Sequence, residues 1–461
     1  MNNGDKRRSL TLGPWIEGWN PEDEQFWERD GKRIARRNLI LSILTEHLGF
    51  SIWSIWSVLV LFMTPAIGFR FTPGEKFLLV ITPTLVGALL RLPYSYAVTR
   101  VGGRNWTVIS SVLLLVPTLL ALHFIGQPGT PLWVFMAIGA VAGVGGGNFA
   151  SSMTNITNFY PQRHQGWALG LNAGGGNLGV AAVQVVGLLV IASAGGTHPS
   201  YVAAAYLPLI VVATLLAAFR MDNIDATRAQ PGIQRLALAN RHTWRICLLY
   251  VGTFGSFIGY SSAFGLVLQT QFNASPLQAA SVAFLGPLLG SLSRPVGGRM
   301  SDRWGGARVT FWTLFAMAVG TVVLILASSW VSFPLFVTGF TVLFVLTGIG
   351  NGSTYKLIPA VFTRDAELAV LSGRDAADAF AKARSLSGAL IAIAGAVGAL
   401  GGVAVNLAFR SSYDNVRTGE PAFLSFLGFY VLCMAVVWFS YLRRDRTPAP
   451  EMAARRATTR V

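Results

Sequence analysis

The sequence predicts an all-α integral membrane protein of twelve transmembrane helices, arranged as two six-helix pseudo-repeats. Three observations carry that expectation. The 461 residues are 52% hydrophobic and only 12% charged, with a mean hydropathy of +0.52, whereas a soluble domain carries about 25% charged residues. Twelve apolar runs recur, each able to cross a roughly 30 Å hydrocarbon core at about 1.5 Å per helical residue. Finally, one segment occurs twice. GALLRLPYSYAVTRVGGR (residues 87–104) returns as GSLSRPVGGRMSDRWGG (residues 290–306), matching at Gly87 and Gly290, Arg91 and Arg294, Arg100 and Arg303, and both Gly-Gly pairs, always 203 residues apart.

The formal net charge of +16 would suit nucleic acid, but its placement argues against that partner. With both termini cytoplasmic, the inside segments hold 29 of the 36 Lys and Arg residues, as the positive-inside rule requires. A multi-pass protein of the inner (cytoplasmic) membrane follows, with the lipid bilayer as its solvent. Cys247 and Cys433 lie in or beside spans and read as small buried hydrophobes. No disulfide framework, metal site or cofactor is expected. The first 37 residues are polar and charged and lack the apolar core of a cleavable signal.

Residues 1–37 form a cytoplasmic N-terminal segment. Within it, Asn20, Pro21 and the acids 22–24 describe a helix start, followed by a basic run suited to a membrane surface. The N-terminal bundle, 38–219, holds six spans. The first, 38–62, contains Glu46 and His47. The second, 77–98, contains Arg91, and the third is 107–125. The fourth, 132–158, is rich in glycine and asparagine. The fifth, 167–193, carries Asn172 and Asn177 between glycines, and the sixth is 202–219. A polar linker with Pro-Gly, 220–243, leads to the C-terminal bundle, 244–442. Its spans are 244–269, 277–298 with Arg294, 309–327, 333–362, 384–406 and 423–442. A short polar tail, 443–461, ends the chain.

The buried charges carry the chemistry. A central arginine costs about 2.5–3.5 kcal/mol on insertion, so it faces a bundle interior or an aqueous cavity. Of the 20 acids, only Glu46 lies well inside a span. Two buried guanidiniums with so few acids suit a small anion clamped between the halves, since a planar guanidinium presents parallel N–H groups to oxyanions. The second duplicated segment is also in step at 203 residues: Gly145, Gly147 and Asn148 match Gly348, Gly350 and Asn351. Glycines there let a neighbouring backbone or a substrate approach closely. The paired arginines could otherwise anchor inner loops, Arg294 by snorkelling. Arg100, Asp302 and Arg303, beside the Gly-Gly pairs, suit a cytoplasmic gate or a loop brace.

A parallel duplication of six-helix halves is the arrangement of major facilitator transporters. Within them, GGGNFASSMTNI (145–156) and GIGNGSTY (348–355) resemble the two nitrate-signature segments of the nitrate/nitrite porters (NarK type). The likeness extends to WNPEDEQFW (19–27), LRLPYS (90–95), LYVGTFGSFIG (249–259) and DRWGG (302–306), and so covers nearly the whole chain. It implies that Arg91 and Arg294 clamp nitrate or nitrite, with Phe149, Asn177, Tyr250 and Phe254 completing the site. Gly145, Gly146, Gly147, Asn148, Gly348, Gly350, Asn351 and Gly352 would be the signature residues. Alternating access then needs no enzyme chemistry, and a functional monomer suffices.

Coupling stays open. Glu46 and Arg91 stand about 12 and 10–11 Å from the inner ends of their spans by helical rise, so Glu46 is a candidate proton-sensitive counter-ion for nitrate symport. A permanent structural ion pair is the bland alternative. Nitrate/nitrite antiport without protons, transport of another small anion, and a nitrate sensor are the rival functions.

Overall fold

The computed structural model describes residues 15–224 and 232–443. Residues 1–14, part of the expected linker (225–231) and all but the first residue of the expected tail lie outside the described residues. Among the described residues, eleven helices are long and apolar enough to cross a membrane. They are α1 (Glu24–Phe62), α2 (Pro73–Val101), α3 (Gly103–Phe124), α4 (Leu132–Phe159), α5 (Gln162–Ala194), α6 (Ser200–Arg220), α7 (Arg241–Phe272), α9 (Gly306–Ser329), α10 (Phe333–Leu371), α11 (Ala376–Val416) and α12 (Glu420–Leu442). The twelfth, α8 (Leu285–Trp304), is less apolar because it carries Arg294, Arg299, Asp302 and Arg303. A short helix, Pro276–Ala283, leads into it, opened by a Ser275/Gln278 capping box.

Two expectations are corrected. The N-terminal helix starts at Glu24, not at Pro21, because the Asp23 carboxylate accepts from the amides of Gln25 and Phe26 and caps it there. It then runs through a π-helical turn, Trp27–Gly31, straight into the first span. Second, residues 363–383 were expected to be loop, yet only Ser372–Asp375 break the helix between α10 and α11. At 39 and 41 residues, these helices outrun the hydrocarbon core at about 1.5 Å per residue. Hydropathy marks where a helix leaves the lipid, not where its backbone hydrogen bonds stop.

The described residues fall into two compact units. Unit one comprises residues 15–70 and 82–224, and unit two residues 71–81 and 232–443. The glycines set helix spacing in both. In unit one a Cβ on Gly145 would overlap the Gly49 carbonyl oxygen of α1, and one on Gly179 would overlap that of His47. In unit two a Cβ on Gly348 would overlap the Gly290 carbonyl of α8, and one on Gly352 that of Arg294. Phenylalanines fill the space between other helices of unit two, with Phe264 stacked on Phe340 at 4.4 Å between centroids.

The duplicated Gly-Gly pairs form the same turn twice. Gly102 (φ 96°, ψ 149°) precedes α3, and Gly305 (φ 86°, ψ 133°) precedes α9. Only glycine adopts this region without strain of about 1–3 kcal/mol. Gly305→Ala is therefore expected to lower stability by about 1–2 kcal/mol. Gly102→Ala should cost more, because its Cβ would also overlap the Asn223 side chain. Unfolding midpoints of the two variants in detergent check the order.

The segment before α1 is tied down within unit one. Trp15 and Ile16 pair in parallel with Asn223 and Ile224. The Trp19 indole donates to the Asn158 carbonyl at 3.1 Å, and the Gln162 amide donates to the Glu22 carboxylate at 3.0 Å. Trp27 stacks on His164, and Arg163 pairs with Glu24 at 3.2 Å. WNPEDEQFW thus braces the turn between α4 and α5. Burial pushes the Tyr160 hydroxyl in that turn up to about 12, against the opposing pull of the Arg36 cation.

Candidate functional site

In unit one the Arg91 side chain is fully buried. Its Nε donates to the Gly146 carbonyl at 3.2 Å, and its guanidinium lies over Phe149 at 4.6 Å and near Trp53 at 5.6 Å. Phe50 backs this cradle, stacked on Phe149 and packed against Trp53. The cradle is itself braced: Trp53 Nε1 donates to the Pro83 carbonyl at 2.7 Å. Gly146 and Gly87 have no Cβ where one would press on Trp53. Pro83 and Pro93 sit inside α2, each removing a helix hydrogen bond on either side of the arginine.

Glu46 is buried between α1 and α5. Its Oε2 accepts from Asn172 Nδ2 at 2.8 Å, and the same Nδ2 lies 2.7 Å from the Ser152 hydroxyl of α4. The ring of the next residue, His47, meets the carbonyl of Gly175, one turn beyond Asn172 on α5, at 3.1 Å. A further turn on, Ser51 donates to the Gly179 carbonyl at 2.9 Å. The glycine run of α5 therefore lets α1 come close enough for polar groups to bond α5 backbone. Asn177, on the same helix, is 1% exposed, and neither Nδ2 nor Oδ1 has a hydrogen-bond partner among the described residues. A buried amide in that state costs about 1–3 kcal/mol, so it is poised for a ligand or water. Asn148 packs on Gly49, and its Oδ1 also lacks a partner among the described residues.

In unit two Arg294 is buried, 6% exposed, and immediately precedes Pro295 within α8. Its Nη2 donates to the Tyr250 hydroxyl at 3.2 Å, and its guanidinium lies 5.2 Å from the Tyr355 ring. Its Nη1 has no hydrogen-bond partner among the described residues. Tyr250 and Phe254 stack at 5.0 Å, Tyr250 just before and Phe254 within the π-helical turn Val251–Gly255 of α7. Both rings rest on Gly398 of α11, where a Cβ would meet Tyr250 at 2.6 Å. Gly350 and Asn351 are buried on α10, with Gly350 against Thr253.

The two copies surround their arginines with different rings. Phe149 lies under Arg91, but the residue 203 positions on is Gly352, which packs on the α8 backbone at Arg294. With no ring there, Tyr355 supplies it, one turn later on α10. Its counterpart in the first copy is the small Ser152.

Of the residues expected from the sequence, Arg91 is thus joined to Phe149 and Gly146, and Arg294 to Tyr250 with Phe254 stacked behind. Glu46 is joined to Asn172, while Asn177 stands apart from any bonded partner among the described residues. Arg100, Asp302 and Arg303 are exposed. Arg100 covers the Tyr96 ring at 5.1 Å, Arg303 covers Trp304, and Asp302 pairs with Lys356 of α10 at 2.8 Å. Sequence reasoning missed Phe50, Trp53, Tyr355 and Gly398. Tyr355 was within reach, four residues after Asn351 and so on one helix face. Phe50 and Trp53 share a face of α1 but look like ordinary core aromatics. Gly398 stands among many glycines.

Comparison with known proteins agrees with this architecture. The profile of the Major Facilitator Superfamily matches residues 40–373. The chain is 39% identical over 451 residues to "Nitrate/nitrite transporter NarU" of Salmonella typhimurium, covering 93% of this chain and 96% of that one. It is 34% identical to "Probable nitrate/nitrite antiporter NarK2" of Thermus thermophilus, covering 76% and 83%. Among solved structures, a D-xylose-proton symporter superposes with a TM-score of 0.65 at 16% identity, over 88% of this chain and 97% of that one. That likeness speaks for the fold alone. With its duplicated six-helix plan and its relatedness along nearly the whole chain, this multi-pass membrane protein belongs to the nitrate/nitrite porter family of the Major Facilitator Superfamily.

Proposed function

We propose that the protein is a secondary transporter that carries nitrate and nitrite across the cytoplasmic membrane by alternating access. Each half contributes one guanidinium to the anion, Arg91 and Arg294. The observation that carries this reading is the Arg294 group: a buried guanidinium held by a tyrosine hydroxyl, beside an aromatic face, with Nη1 unbonded among the described residues. Such an arrangement suits a planar anion with acceptor oxygens. Nitrate supplies both the charge and the oxygens, and its flat face suits the stacked Tyr250 and Phe254 rings. Phe149 under Arg91 supports the same chemistry in the other half. Asn177 is assigned a hydrogen bond to the anion, and Asn148 and Asn351 hold the signature helices around the path. On this reading the protein is a functional monomer with both termini on the cytoplasmic side, an orientation that the Lys and Arg distribution supports.

Tyr250→Phe tests the site without changing its shape. It removes a hydrogen bond to a charged group, worth about 1.5–3 kcal/mol, so the KM for nitrate should rise at least about tenfold. An unchanged KM would take Tyr250 out of the site.

Glu46 is proposed as the proton-sensitive group, its carboxylate poised by Asn172. In proteoliposomes, nitrate added outside at zero potential should drive proton entry, and Glu46→Gln should abolish that entry. Proton movement undiminished in the variant would sink the proposal. The likeness to a protein named as an antiporter favours a second reading, exchange of nitrate for nitrite. Nitrite-dependent counterflow at zero pH gradient, without proton movement, would select it.

A further inference from the structure

A groove of about 670 Å³ opens between the start of α1 and the end of α6. It is lined by Glu28, Lys32, Arg33, Arg36, Arg37 and Arg220, and floored by Ile40, Leu41 and Leu216. Five cations face one acid here. Two of the five are already occupied: Lys32 pairs with Glu28 at 3.4 Å, and Arg37 with Asp222 at 2.6 Å. Arg33, Arg36 and Arg220 pair with no carboxylate among the described residues. Below the cations the surface turns apolar and open. Ile40 is 54% exposed on α1, and Val212, Leu215, Leu216 and Phe219 form an exposed stripe on α6. The floor is firm, since Leu41 packs on Ala217 and Met221.

We infer that this groove is a binding site for an anionic phospholipid. Its phosphate sits among Arg33, Arg36 and Arg220, and its acyl chains lie along Ile40 and the α6 stripe. The charge excess calls for an anion. The adjoining apolar stripe calls for a ligand with hydrocarbon attached, which a free phosphate lacks. The orientation proposed above puts the groove at the cytoplasmic leaflet, where anionic headgroups attract juxtamembrane cations. The lipid joins α1 to α6 beside the Arg37–Asp222 tie, so it acts on unit one and needs no contact with the anion path.

The test is native mass spectrometry of the delipidated full-length protein titrated with phosphatidylglycerol, phosphatidylcholine or glycerol 3-phosphate. The parent should hold one tight phosphatidylglycerol. The variant Arg33→Gln/Arg36→Gln/Arg220→Gln should bind it at least tenfold more weakly. The control Arg374→Gln/Lys382→Gln/Arg384→Gln, which removes equal charge elsewhere, should bind it like the parent. A second variant, Ile40→Ser/Leu216→Ser, should weaken phosphatidylglycerol without depending on charge, which keeps the test valid if the arginine variant is unstable. Equal binding by parent and both groove variants would overturn the inference. So would phosphatidylcholine binding as tightly as phosphatidylglycerol, or glycerol 3-phosphate binding as tightly as the lipid.

Discussion

Arg91→Lys is expected to lower nitrate uptake into proteoliposomes by on the order of a hundredfold, with the variant still monodisperse and folded. Lysine keeps the charge and about the same reach. It loses the planar fork, the Nε bond to the Gly146 carbonyl and the flat contact with Phe149. Two charge-assisted hydrogen bonds at about 1.5 kcal/mol each account for that factor. Arg294→Lys should fall as far, since it forfeits the Tyr250 bond and the Tyr355 face. Retention of uptake within about threefold in either variant would show that positive charge alone serves, and bidentate recognition would be wrong for that half.

The second large effect is on the fold. Gly145→Val and Gly348→Val should each destabilise the protein by roughly 3 kcal/mol or more, since overpacking a close contact costs about 1–3 kcal/mol and exceeds that when backbone must move. At both positions the new Cβ overlaps a carbonyl oxygen of the neighbouring helix, Gly49 in one half and Gly290 in the other. No rotamer change relieves this, because the obstacle is main chain. Gly428→Ala is the contrast. Nothing lies within 4 Å of a Cβ there, so alanine should add about 0.5–1 kcal/mol through helix propensity. Thermal unfolding in detergent, followed by size-exclusion peak area, separates the two classes. Normal midpoints for Gly145→Val would mean that α1 and α4 can part without loss.

The duplicated glycines illustrate how much the sequence could say. Their spacing, in step with the arginines, located close approaches in α4 and α10, but spacing alone left open whether backbone or substrate made the approach. For Gly145, Gly348 and Gly352 the neighbour is backbone. The same limit appears at Arg91. Burial of the cation was legible, because any charge in so long an apolar run must leave the lipid. That Trp53 covers it was not, and Phe149 was placed in the site only by the family resemblance, since an aromatic in a membrane helix reads the same whether it faces core or ligand. The helix ends of α10 and α11 were misplaced because hydropathy reports the solvent of the side chains, while the main-chain ladder continues into water.

By itself, then, the sequence determined the membrane, the twelve helices, the duplication and the pair of costly cations. Each is a consequence of composition, period or offset, and each survives any rearrangement of the helices that keeps them in lipid. Only the tertiary structure decided what each cation rests on. Arg91 lies over Phe149, while Arg294 is held by Tyr250 and flanked by Tyr355, because Gly352 lets α10 close on α8 where its counterpart keeps a ring. The reason is distance. A helix brings together residues three or four apart, whereas these partners are 44 to 61 positions apart in the chain and meet only once whole helices have packed.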